Sequence, residues 1–493
     1  MTSRYASHIN APTPQSQPLR GREAEQVKNY AGGYVFKLDP WQELERFVIL
    51  GTMGGTYYVS EQKLTQEAGT MLAELLKLNP VLVIDTIVKI SDAGRAPKNT
   101  PALFALAMAA SPKYNSNVEA REWAFEMLPK VARTGTHLLQ FVNALNELRG
   151  WGPQARKGIG RYWFGSKRNT ELALRAVKDQ SREGWSLGDV LRLCHIPLSK
   201  ESRGRAAMFT YLTHPERLNE AGDAINIAKQ LPSKIGEVVD APVDWEPVKP
   251  LIAAREKLHR DWAAKAVTER EAAEFIREQR LPREAVPTDL LNSKEVWNAL
   301  LDEMPITAMI RNLGKMTNIE LLKPGTAAAT IVIDRLADTE RLRKGRVHPM
   351  QVLIALRTYA NGRGARGSLT WSPVAPIVAA LDAAFYECFQ NVRPTGKRFL
   401  IGLDVSGSMG VQFADYPGLT VCEAAAAMAM ILVARENWVQ VMGFAHDFRN
   451  LGFHSRMSLE EATKRSRDNN FGTTDCALPF VYAKQKGLEV DTV

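Results

Sequence analysis

The sequence predicts a long all-α region followed by a smaller doubly wound α/β domain. From about Trp41 to Gln390, apolar residues recur at helical spacing in segments of ordinary helix length, and the connections are short. The composition changes near Arg393, and beyond it strand-like apolar runs alternate with helical patterns. We therefore expect a flexible polar tail at residues 1–30, a helical region at 31–392 and an α/β domain at 393–493.

Proline marks helix starts within the first region, because it is tolerated in the first turn of a helix. Pro305 and Pro349 each precede or open an apolar periodic segment. Many antiparallel helix pairs joined by short connections are typical of an α-solenoid. The highly charged stretch from Ala253 to Arg280 indicates one long solvent-facing helix with mixed ion pairs.

The elements of the α/β domain can be assigned in order along the chain. The patterns predict a strand at Phe399–Leu403, an Ala-rich helix at Thr420–Arg435, a strand at Val439–Phe444, helices at Leu459–Arg465 and Leu478–Gln485, and the beginning of a strand at Leu488–Val493. A sheet of this class normally needs more strands than these, so we expect the domain to be incomplete at its C-terminal end.

Cysteine usage and hydropathy limit the classes of protein to consider. The four cysteines are widely scattered and form no CxxC pair, which favours reduced thiols in a cytoplasmic setting over a disulfide framework or a zinc site. The N-terminus lacks the apolar core of a signal peptide. The longest nearly continuous apolar run, Ala424 to Ala434, is too short to span a bilayer, so no membrane association is expected.

Most of the net charge of +9 lies in one segment, which we call the basic block. Between Trp151 and Arg205 there are twelve Lys and Arg residues against five Asp and Glu residues. Such a block is expected either for a polyanion partner or for a solvated helical surface. Aromatic rings interleave with the cations, which suits RNA better than a membrane. Within the block, His195 is either a buried, hydrogen-bonded histidine or a phosphate or base contact.

One part of the basic block has a more specific pattern. If the segment from Arg175 to Arg182 is helical, then Arg175, Lys178 and Arg182 share one face. Leu174 and Val177 would point to the core. Three aligned cations can follow a phosphate backbone, and binding would then depend steeply on salt because each neutralised phosphate releases counterions.

A second candidate site follows the first predicted strand of the α/β domain. Asp404, Ser406 and Ser408 alternate directly after Phe399–Leu403, at the strand end where α/β sheets bind ligands. One carboxylate and two hydroxyls are hard oxygen ligands, which suit Mg²⁺ or another hard divalent cation better than zinc or copper. The loop Asn470–Asp475 offers further hydroxyl and carboxylate groups. The alternative is a Ser/Gly-rich turn in which Asp404 caps the next helix.

Several short stretches together carry a family resemblance: Gly54–Tyr58, Ser293–Trp297, Met304-Pro305, Arg311–Thr317, Leu381–Tyr386 and Pro394–Phe399 leading into Asp404. With these stretches the chain resembles the Ro ribonucleoprotein (SS-A/Ro autoantigen) family, whose helical part is called the TROVE module. The resemblance runs from about Gly32 to Val493. It implies a ring of HEAT-like helix pairs closed by a von Willebrand factor A-like domain.

The resemblance also implies partners and site residues. The partners are small structured Y-type RNAs on the outer surface and the ends of misfolded noncoding RNAs in a central hole, within RNA quality control. An RNA-degrading exonuclease is a further candidate partner. The implied metal ligands are Asp404, Ser406, Ser408 and Thr474, and the family's usual final aspartate would lie beyond Val493. The implied RNA contacts are Lys178, Arg182, Arg192 and His195, with Arg156, Lys157 and Arg161 in the same region and Arg175 added by the helical pattern.

Three functions compete at this point. The leading one is an RNA-binding scaffold without chemistry of its own. The second is a metal-dependent protein-interaction module whose open coordination position accepts a partner's carboxylate. The third, an enzyme such as a nuclease, is disfavoured because Ser406 stands where a second carboxylate would be needed for an aspartyl-phosphate mechanism. The sequence also has no G-x-S-x-G elbow, no Walker-type loop and no paired-histidine motif.

Overall fold

The computed structural model describes residues 14, 16–30, 32–51, 61–96, 98–179, 181–197, 201, 203–213, 249–364, 367–412, 416, 418–445, 447–467 and 475–493. The chain forms two compact units, Met1–Arg260 and Asp261–Val493. Two stretches that the sequence singled out, Gly54–Tyr58 and the loop Asn470–Thr474, lie outside the described residues. Closure of the helices into a ring stays a prediction of the resemblance.

The first unit is mainly helical. Its helices are α1 (Pro40–Leu50), α2 (Glu61–Leu78), α3 (Pro80–Asp92), α4 (Thr100–Ala109), α5 (Val118–Val131), α6 (Gly135–Leu148), α7 (Pro153–Gly158), α8 (Asn169–Lys178), α9 (Leu187–Cys194) and α10 (Arg203–Thr213). A π-helical turn, Ile159–Phe164, continues α7 directly. Two short hairpins complete the described part of the unit: β1 (Gln26–Lys28) with β2 (Tyr34–Phe36), and β3 (Ser181–Arg182) with β4 (Trp185–Ser186).

Helix α4 lies at the centre of this unit. Its sequence is almost entirely apolar, and seven of its ten residues are buried. It packs against α1, α3, α5 and α6. A helix that is apolar on all sides must be surrounded, because it has no polar face to present to water. The amphipathic helices around α4 therefore close one continuous core.

The expected flexible tail is wrong at its C-terminal end. Strand β1 lies within residues 1–30 and pairs antiparallel with β2, with Val27 opposite Val35. Asp39 then caps α1 by accepting the backbone N–H groups of Trp41 and Gln42. Short hairpins of this kind carry too few apolar positions to be visible in sequence periodicity.

The boundary between the two units falls within helix α11, because the second unit starts at Asp261. We describe α11 with the second unit. The helices are α11 (Lys249–Ala263), α12 (Glu269–Glu278), α13 (Lys294–Glu303), α14 (Ile306–Asn318), α15 (Ala327–Ala337), α16 (Thr339–Lys344), α17 (Pro349–Ala360) and α18 (Ala375–Glu387). The single long helix expected over residues 253–280 is in fact two, α11 and α12. The break occurs because Lys265 is left-handed, with φ of 55°, and Thr268 forms a capping box with Glu271.

The α/β domain is built on a three-stranded sheet in the order β5-β6-β7. Strands β5 (Arg398–Asp404) and β6 (Trp438–Phe444) are parallel, and β7 (Phe448–Asn450) is antiparallel to β6. The helices are α19 (Val421–Arg435), α20 (Leu459–Arg465) and α21 (Leu478–Gln485). The parallel pairing runs to Asp404 opposite Phe444, so the carboxyl ends of β5 and β6 lie side by side.

Both faces of this sheet are covered, as the sequence predicted. On one face Leu403 and Val441 belong to a core cluster with Ala429 of α19. On the other face α21 approaches so closely that a Cβ on Gly402 would lie 2.5 Å from Pro479 Cγ. A parallel pair with helices on both faces is the doubly wound arrangement.

The beginning of a strand predicted at Leu488–Val493 takes the form of a bridge to β5. Only a single parallel bridge forms, between Phe399 and Thr492. The Leu400 N–H donates to the Thr492 carbonyl at 3.0 Å, and the Asp491 N–H donates to the Arg398 carbonyl. Asp491 and Thr492 therefore lie against the edge of β5 that does not pair with β6.

The four cysteines are free thiols, three of them buried. Burial raises the pKa of Cys194 and of Cys388 to about 12, so both remain protonated at neutral pH. Within the part of the chain that the structure describes, no helix combines the length and the hydropathy needed to cross a membrane.

Candidate nucleic-acid interface and metal centre

The basic block folds around helices α6 and α9. Helix α9 contacts α6, α7, the π-helical turn and β4, and the β3-β4 hairpin also contacts α6. The rings of Trp151 and Trp185 lie 6.1 Å apart, which joins the start of α7 to the hairpin. Elements that are separated in sequence over residues 151–195 therefore form one neighbourhood.

Two glycines allow neighbouring elements of the basic block to pack closely against each other and against α5. A Cβ on Gly158 would lie 2.4 Å from Cγ of the buried Phe125 ring, so only glycine fits at the end of α7. A Cβ on Gly160 would lie 3.2 Å from Ile196 Cγ1 and 3.6 Å from Cys194 Cβ. The C-terminal end of α9 therefore rests on the π-helical turn, and His195 comes next to the segment that carries Arg161.

Helix α8 ends at Lys178, so the predicted helix through Arg182 is wrong. The next residue, Asp179, turns toward the N-terminus of α6. Its carboxylate accepts the Gly135 N–H at 2.9 Å and the Thr136 hydroxyl at 3.1 Å. Asp179 thus satisfies an N–H at the start of α6 that has no partner within that helix, and its negative charge lies at the positive end of the helix dipole. Leu174 is 37% exposed, against expectation, whereas Val177 is buried as predicted.

Arg182 lies instead on the β3-β4 hairpin, where it pairs with Trp185 across the two strands. Glu183 and Gly184 form the turn, with φ of 53° and 79°. Two positive φ values at the central positions are typical of a type I′ hairpin turn. The turn presents Arg182 to solvent, with its Nε 3.3 Å from the Glu183 carboxylate.

Helix α9 begins with a capping box that also positions an arginine. The Ser186 hydroxyl accepts the Asp189 N–H at 3.1 Å, and the Asp189 carboxylate accepts the Ser186 N–H at 3.0 Å. Hydrogen bonds from Ser186 hold the pKa of Asp189 below its usual value, with a smaller contribution from Arg192. Arg192 Nη1 donates to Asp189 at 3.0 Å, and its Nη2 donates to the Thr213 carbonyl.

His195 ends α9 in the left-handed conformation, with φ of 50° and ψ of 45°. The side chain is exposed, so the alternative of a buried histidine is wrong. A residue in the left-handed conformation commonly ends an α-helix. His195 is thus free to meet a ligand from solvent.

Six of the eight residues assigned to RNA are exposed, and we call them the cationic surface: Lys157, Arg161, Lys178, Arg182, Arg192 and His195. Among the described residues, Lys157 and Lys178 have no acidic partner. Arg182 and Arg192 each hold one carboxylate that is itself about half exposed. Exposed ion pairs contribute about 0–1 kcal/mol, so a phosphate group can replace these carboxylates at little cost.

The other two assigned residues, Arg156 and Arg175, are half-buried. Arg175 lies 3.5 Å from Asp179 and 3.8 Å from Glu171, and only 22% of its side chain is exposed. Its Nε and that of Arg156 are buried and meet no hydrogen-bond partner within the described residues. Arg175 therefore lies on α8 with its side chain held near Asp179 and Glu171, whereas Lys178 is exposed.

Sequence reasoning missed one exposed cation of the same neighbourhood. Arg168 stands at the N-cap position of α8 without a side-chain cap, is exposed, and has no partner among the described residues. Its neighbour Lys167 is only 10% exposed, because it packs over the Trp163 ring and near Glu171. Lys167 and Arg168 are both basic and adjacent, so the sequence does not distinguish them. They differ in exposure because of where each lies at the start of α8.

The predicted metal motif forms a compact loop at the carboxyl end of β5. The Ser406 N–H donates to Asp404 Oδ1 at 2.8 Å, and the Ser406 and Ser408 hydroxyl oxygens are 2.9 Å apart. The Asp404 carboxylate therefore accepts a hydrogen bond from its own loop. The next α-helix, α19, is capped by Thr420 and not by Asp404. The simple capping alternative for Asp404 is wrong.

The donor set fits a hard divalent cation. Neighbouring ligands of an octahedral Mg²⁺ ion lie about 3.0 Å apart when the bonds are about 2.1 Å long, and the two hydroxyls, which are hydrogen-bonded to each other, lie close to that distance apart. Asp404 keeps its second carboxylate oxygen for a metal. Thr474 lies outside the described residues, but the next residue, Asp475, donates its N–H to the Ala445 carbonyl beyond the end of β6. Within the described residues, no group of three His, Cys, Asp or Glu side chains could hold a metal.

Comparison with known proteins decides the family. The TROVE domain family matches residues 27–358, and the Ro60 vWA domain family matches residues 398–493. A protein named RNA-binding protein RO60 from Deinococcus radiodurans is 38% identical over 487 residues, which covers 98% of this chain and 85% of that protein. The chain belongs to the Ro ribonucleoprotein family.

A second relative and a solved structure agree with this membership. A protein of Caenorhabditis elegans, also named RNA-binding protein RO60, is 32% identical over 512 residues, which covers 94% of this chain and 78% of that protein. The crystal structure of the Deinococcus radiodurans RO (RSR) protein aligns with a TM-score of 0.75 at 37% identity, over 92% of this chain and 85% of that one. The predicted fold class, a helical TROVE region followed by a von Willebrand factor A-like domain, is confirmed for this member of the Ro family.

Proposed function

We propose that the chain is an RNA-binding ribonucleoprotein scaffold that holds structured noncoding RNA on the cationic surface. The observation that carries the proposal is the exposure of six cationic or titratable side chains. Five of them lie on elements that pack around α6 and α9, and Lys178 ends α8 next to Asp179, which binds the N-terminus of α6. Relatives that cover most of the chain are named as RNA-binding proteins, which supports the same conclusion.

The arrangement suits the backbone of a folded RNA. The six side chains come from α7, the π-helical turn, the end of α8, the β3-β4 hairpin and the end of α9, so they are spread over several exposed elements. Contacts with phosphates position an RNA without reading its bases. Duplex RNA is recognised mainly by its shape and its backbone, because its deep major groove is closed to side chains. We therefore infer that the protein selects RNA by shape and acts without chemistry of its own.

The finer assignments follow from the family resemblance. We propose Y-type RNA as the ligand of the cationic surface and the ends of misfolded noncoding RNA as ligands of a central hole, in RNA quality control with an exonuclease partner. A cytoplasmic location is supported by the buried free thiols Cys194, Cys388 and Cys422, which suit a reducing compartment.

We also propose that the loop of Asp404, Ser406 and Ser408, completed by Thr474, binds Mg²⁺. Because these oxygens lie together at the carboxyl end of β5, the same loop suits a second candidate function, a metal-dependent protein-interaction module. A bound cation would offer an open coordination position to a partner's carboxylate. Capture of a protein that is lost on chelation and resists nuclease would support this second function.

The RNA proposal is tested by removing two exposed cations. We expect Lys178→Ala with Arg182→Ala to weaken binding of a Y-type RNA by about tenfold at moderate salt, because phosphate contacts and their counterion release are lost. The slope of log K against log salt concentration should fall by about 1–2 units, close to one for each lost contact. Filter binding or fluorescence anisotropy over a salt series measures both quantities.

A matched control removes the same charges elsewhere. Arg343→Ala with Lys464→Ala takes one arginine and one lysine from exposed positions of α16 and α20. This double variant should leave the affinity and the salt slope nearly unchanged. Equal losses in both variants would show that RNA responds only to net charge, and the assignment of the cationic surface would be wrong.

A further inference from the structure

A cavity of about 620 Å³ lies in the second unit between α14, α17 and the segment that ends at Trp371. Sites for small molecules commonly enclose roughly 300–1,000 Å³. No residue of the cationic surface and no residue of the Asp404 loop lines it. The function proposed above therefore leaves this cavity without a role.

One wall of the cavity is a rigid aromatic surface. The Trp371 indole N–H donates to the Tyr359 carbonyl at 2.9 Å, and the two rings are stacked with their centroids 6.0 Å apart. The Tyr359 hydroxyl is itself held by Thr317 at 2.9 Å. A Cβ on Gly314 would lie 2.6 Å from the indole, so α14 needs glycine there to let Trp371 lie against it. The half-buried indole is fixed before any ligand arrives, which lowers the entropy cost of stacking.

The rim of the cavity is cationic. Arg311 and Lys315 lie one turn apart on α14 and both line the cavity. Lys315 donates to Asn292 Oδ1 at 2.8 Å, whereas the exposed Arg311 has no hydrogen bond or ion pair with any described residue. Among the described lining residues, none is acidic. The free guanidinium can therefore form a bidentate pair with a phosphate without displacing a carboxylate.

The remaining lining combines an apolar floor with a few polar groups. Ile310 and Leu313 are buried, and Ile354 is half-buried. Thr358 and Tyr416 add hydroxyl groups at the edges. An apolar floor, one fixed indole and a free guanidinium together match a planar ring that carries an anionic group.

We propose that this cavity binds a nucleotide, with the base stacked on Trp371 and the phosphate held by Arg311. A free mononucleotide and an unpaired nucleotide of an RNA present the same chemistry. The proposal goes beyond the cationic surface and does not rest on it, because the two sites share no residue.

The test measures binding of two probes to the full chain. Equilibrium dialysis follows labelled AMP, and fluorescence anisotropy follows a short single-stranded oligoadenylate. Arg311→Ala should weaken binding of the responding probe by about tenfold, because a charge-assisted pair with phosphate is lost, and Arg311→Lys should retain part of the affinity. Trp371→Leu should lose binding by a similar factor, since base stacking on an aromatic ring is removed, and Trp371→Phe should retain part of it.

Controls separate this site from the cationic surface. Arg270→Ala removes one arginine that is 85% exposed on α12 and should change nothing. Lys178→Ala with Arg182→Ala should leave AMP binding intact even if it abolishes binding of folded RNA. AMP binding that depends on Arg311 supports a free nucleotide, and a response of the oligoadenylate alone supports an RNA nucleotide. If neither probe binds, or if both bind equally well to Arg311→Ala, the proposal is overturned; because Arg311 is exposed, this variant decides even if Trp371→Leu does not fold.

Discussion

The side chains of the cationic surface differ in whether a carboxylate lies beside them. Lys157 and Lys178 meet no carboxylate among the described residues, whereas Arg182 and Arg192 lie against Glu183 and Asp189. An arginine presents a planar fork of donors, so it loses less side-chain entropy for each hydrogen bond that it forms with a phosphate. The lysines bring a point charge on a flexible side chain, without a fixed hydrogen-bonding geometry. Both kinds of contact attract a polyanion, but the arginines are better placed to fix its orientation.

The Asp404 loop makes a prediction at the same scale. At a Mg²⁺ concentration about 100 times its Kd, a cation bound only to the folded state would stabilise the protein by about 2.7 kcal/mol. Asp404→Asn should remove this gain, because the amide keeps the shape of the side chain but loses the charge that a hard cation needs. Thermal unfolding with and without Mg²⁺ measures the difference.

Asp447→Asn is the matched control, since Asp447 is an exposed carboxylate that follows β6 in the same domain. It should leave the response to Mg²⁺ intact. An unfolding midpoint that ignores Mg²⁺ in the parent protein, or a response that survives Asp404→Asn, would rule out the proposed metal centre.

At the scale of elements, two glycines allow α7 and the π-helical turn to pack closely against their neighbours, which include α9. Gly158 lies against Phe125, and Gly160 lies against Ile196. A π-helical turn is often found at functional sites, because it redirects side chains without ending a helix. Here it follows Lys157 of α7 and carries Arg161 toward the end of α9.

Gly158→Ala should therefore destabilise the fold. The added methyl group would overlap the buried Phe125 ring, and overpacking of this kind costs about 1–3 kcal/mol. Chemical denaturation measures the change in the free energy of unfolding.

Gly165→Ala provides the comparison from the other end of the same turn. Gly165 has helical φ and ψ, and a Cβ there would meet only the Gly160 carbonyl at 3.6 Å. This substitution should be neutral or stabilising by up to about 1 kcal/mol, because alanine restricts the unfolded chain. Equal destabilisation by both substitutions would contradict the packing described for Gly158.

At the scale of the whole molecule, the last helices before the α/β domain belong with it in one compact unit. The unit begins at Asp261, whereas the composition of the sequence changes near Arg393. Three contacts explain the difference. Arg357 of α17 donates from Nε to Glu423 of α19 at 2.8 Å, Tyr386 accepts the Leu459 N–H at 2.9 Å, and Arg435 Nε donates to the Val392 carbonyl at 2.9 Å.

The Arg357–Glu423 pair should be a major support of this junction. Glu423 is 10% exposed and Arg357 is 34% exposed, so Glu423→Ala would leave a poorly solvated guanidinium without its partner. We expect a loss of about 2 kcal/mol, below the 3–5 kcal/mol of a fully buried pair. Denaturation of the full chain measures this change.

The matched control for Glu423→Ala is Glu387→Ala, which removes an exposed carboxylate from the end of α18. It should leave the free energy of unfolding almost unchanged. The double variant Arg357→Ala with Glu423→Ala should be less destabilised than the sum of the two single variants, because the unpaired charge is gone. Additive effects would show that the pair does not couple α17 to α19.

The sequence by itself determined the order and class of the elements in the α/β domain. The helices predicted at Leu459–Arg465 and Leu478–Gln485 have those bounds in the structure, and β5 and β6 extend the predicted strands by one or two residues. These signals are local: Ser458 caps one helix, and proline stands in the first turn of the other. The Asp404 motif was visible for the same reason, because its three residues are neighbours in the chain.

Only the tertiary structure decided where α8 ends and which cations face solvent. Asp179 leaves the helix to cap α6 at Gly135, a residue 44 positions away, and no local pattern announces such a partner. Arg175 and Lys178 look equivalent in sequence, yet Arg175 is held between two carboxylates and Lys178 is free of them among the described residues. The cavity beside Trp371 likewise joins α14 to a segment more than 50 residues away, as the bond from Asn318 to the Thr370 carbonyl shows. Periodicity and caps report short-range preferences, whereas burial and pairing depend on contacts that exist only once the chain has packed.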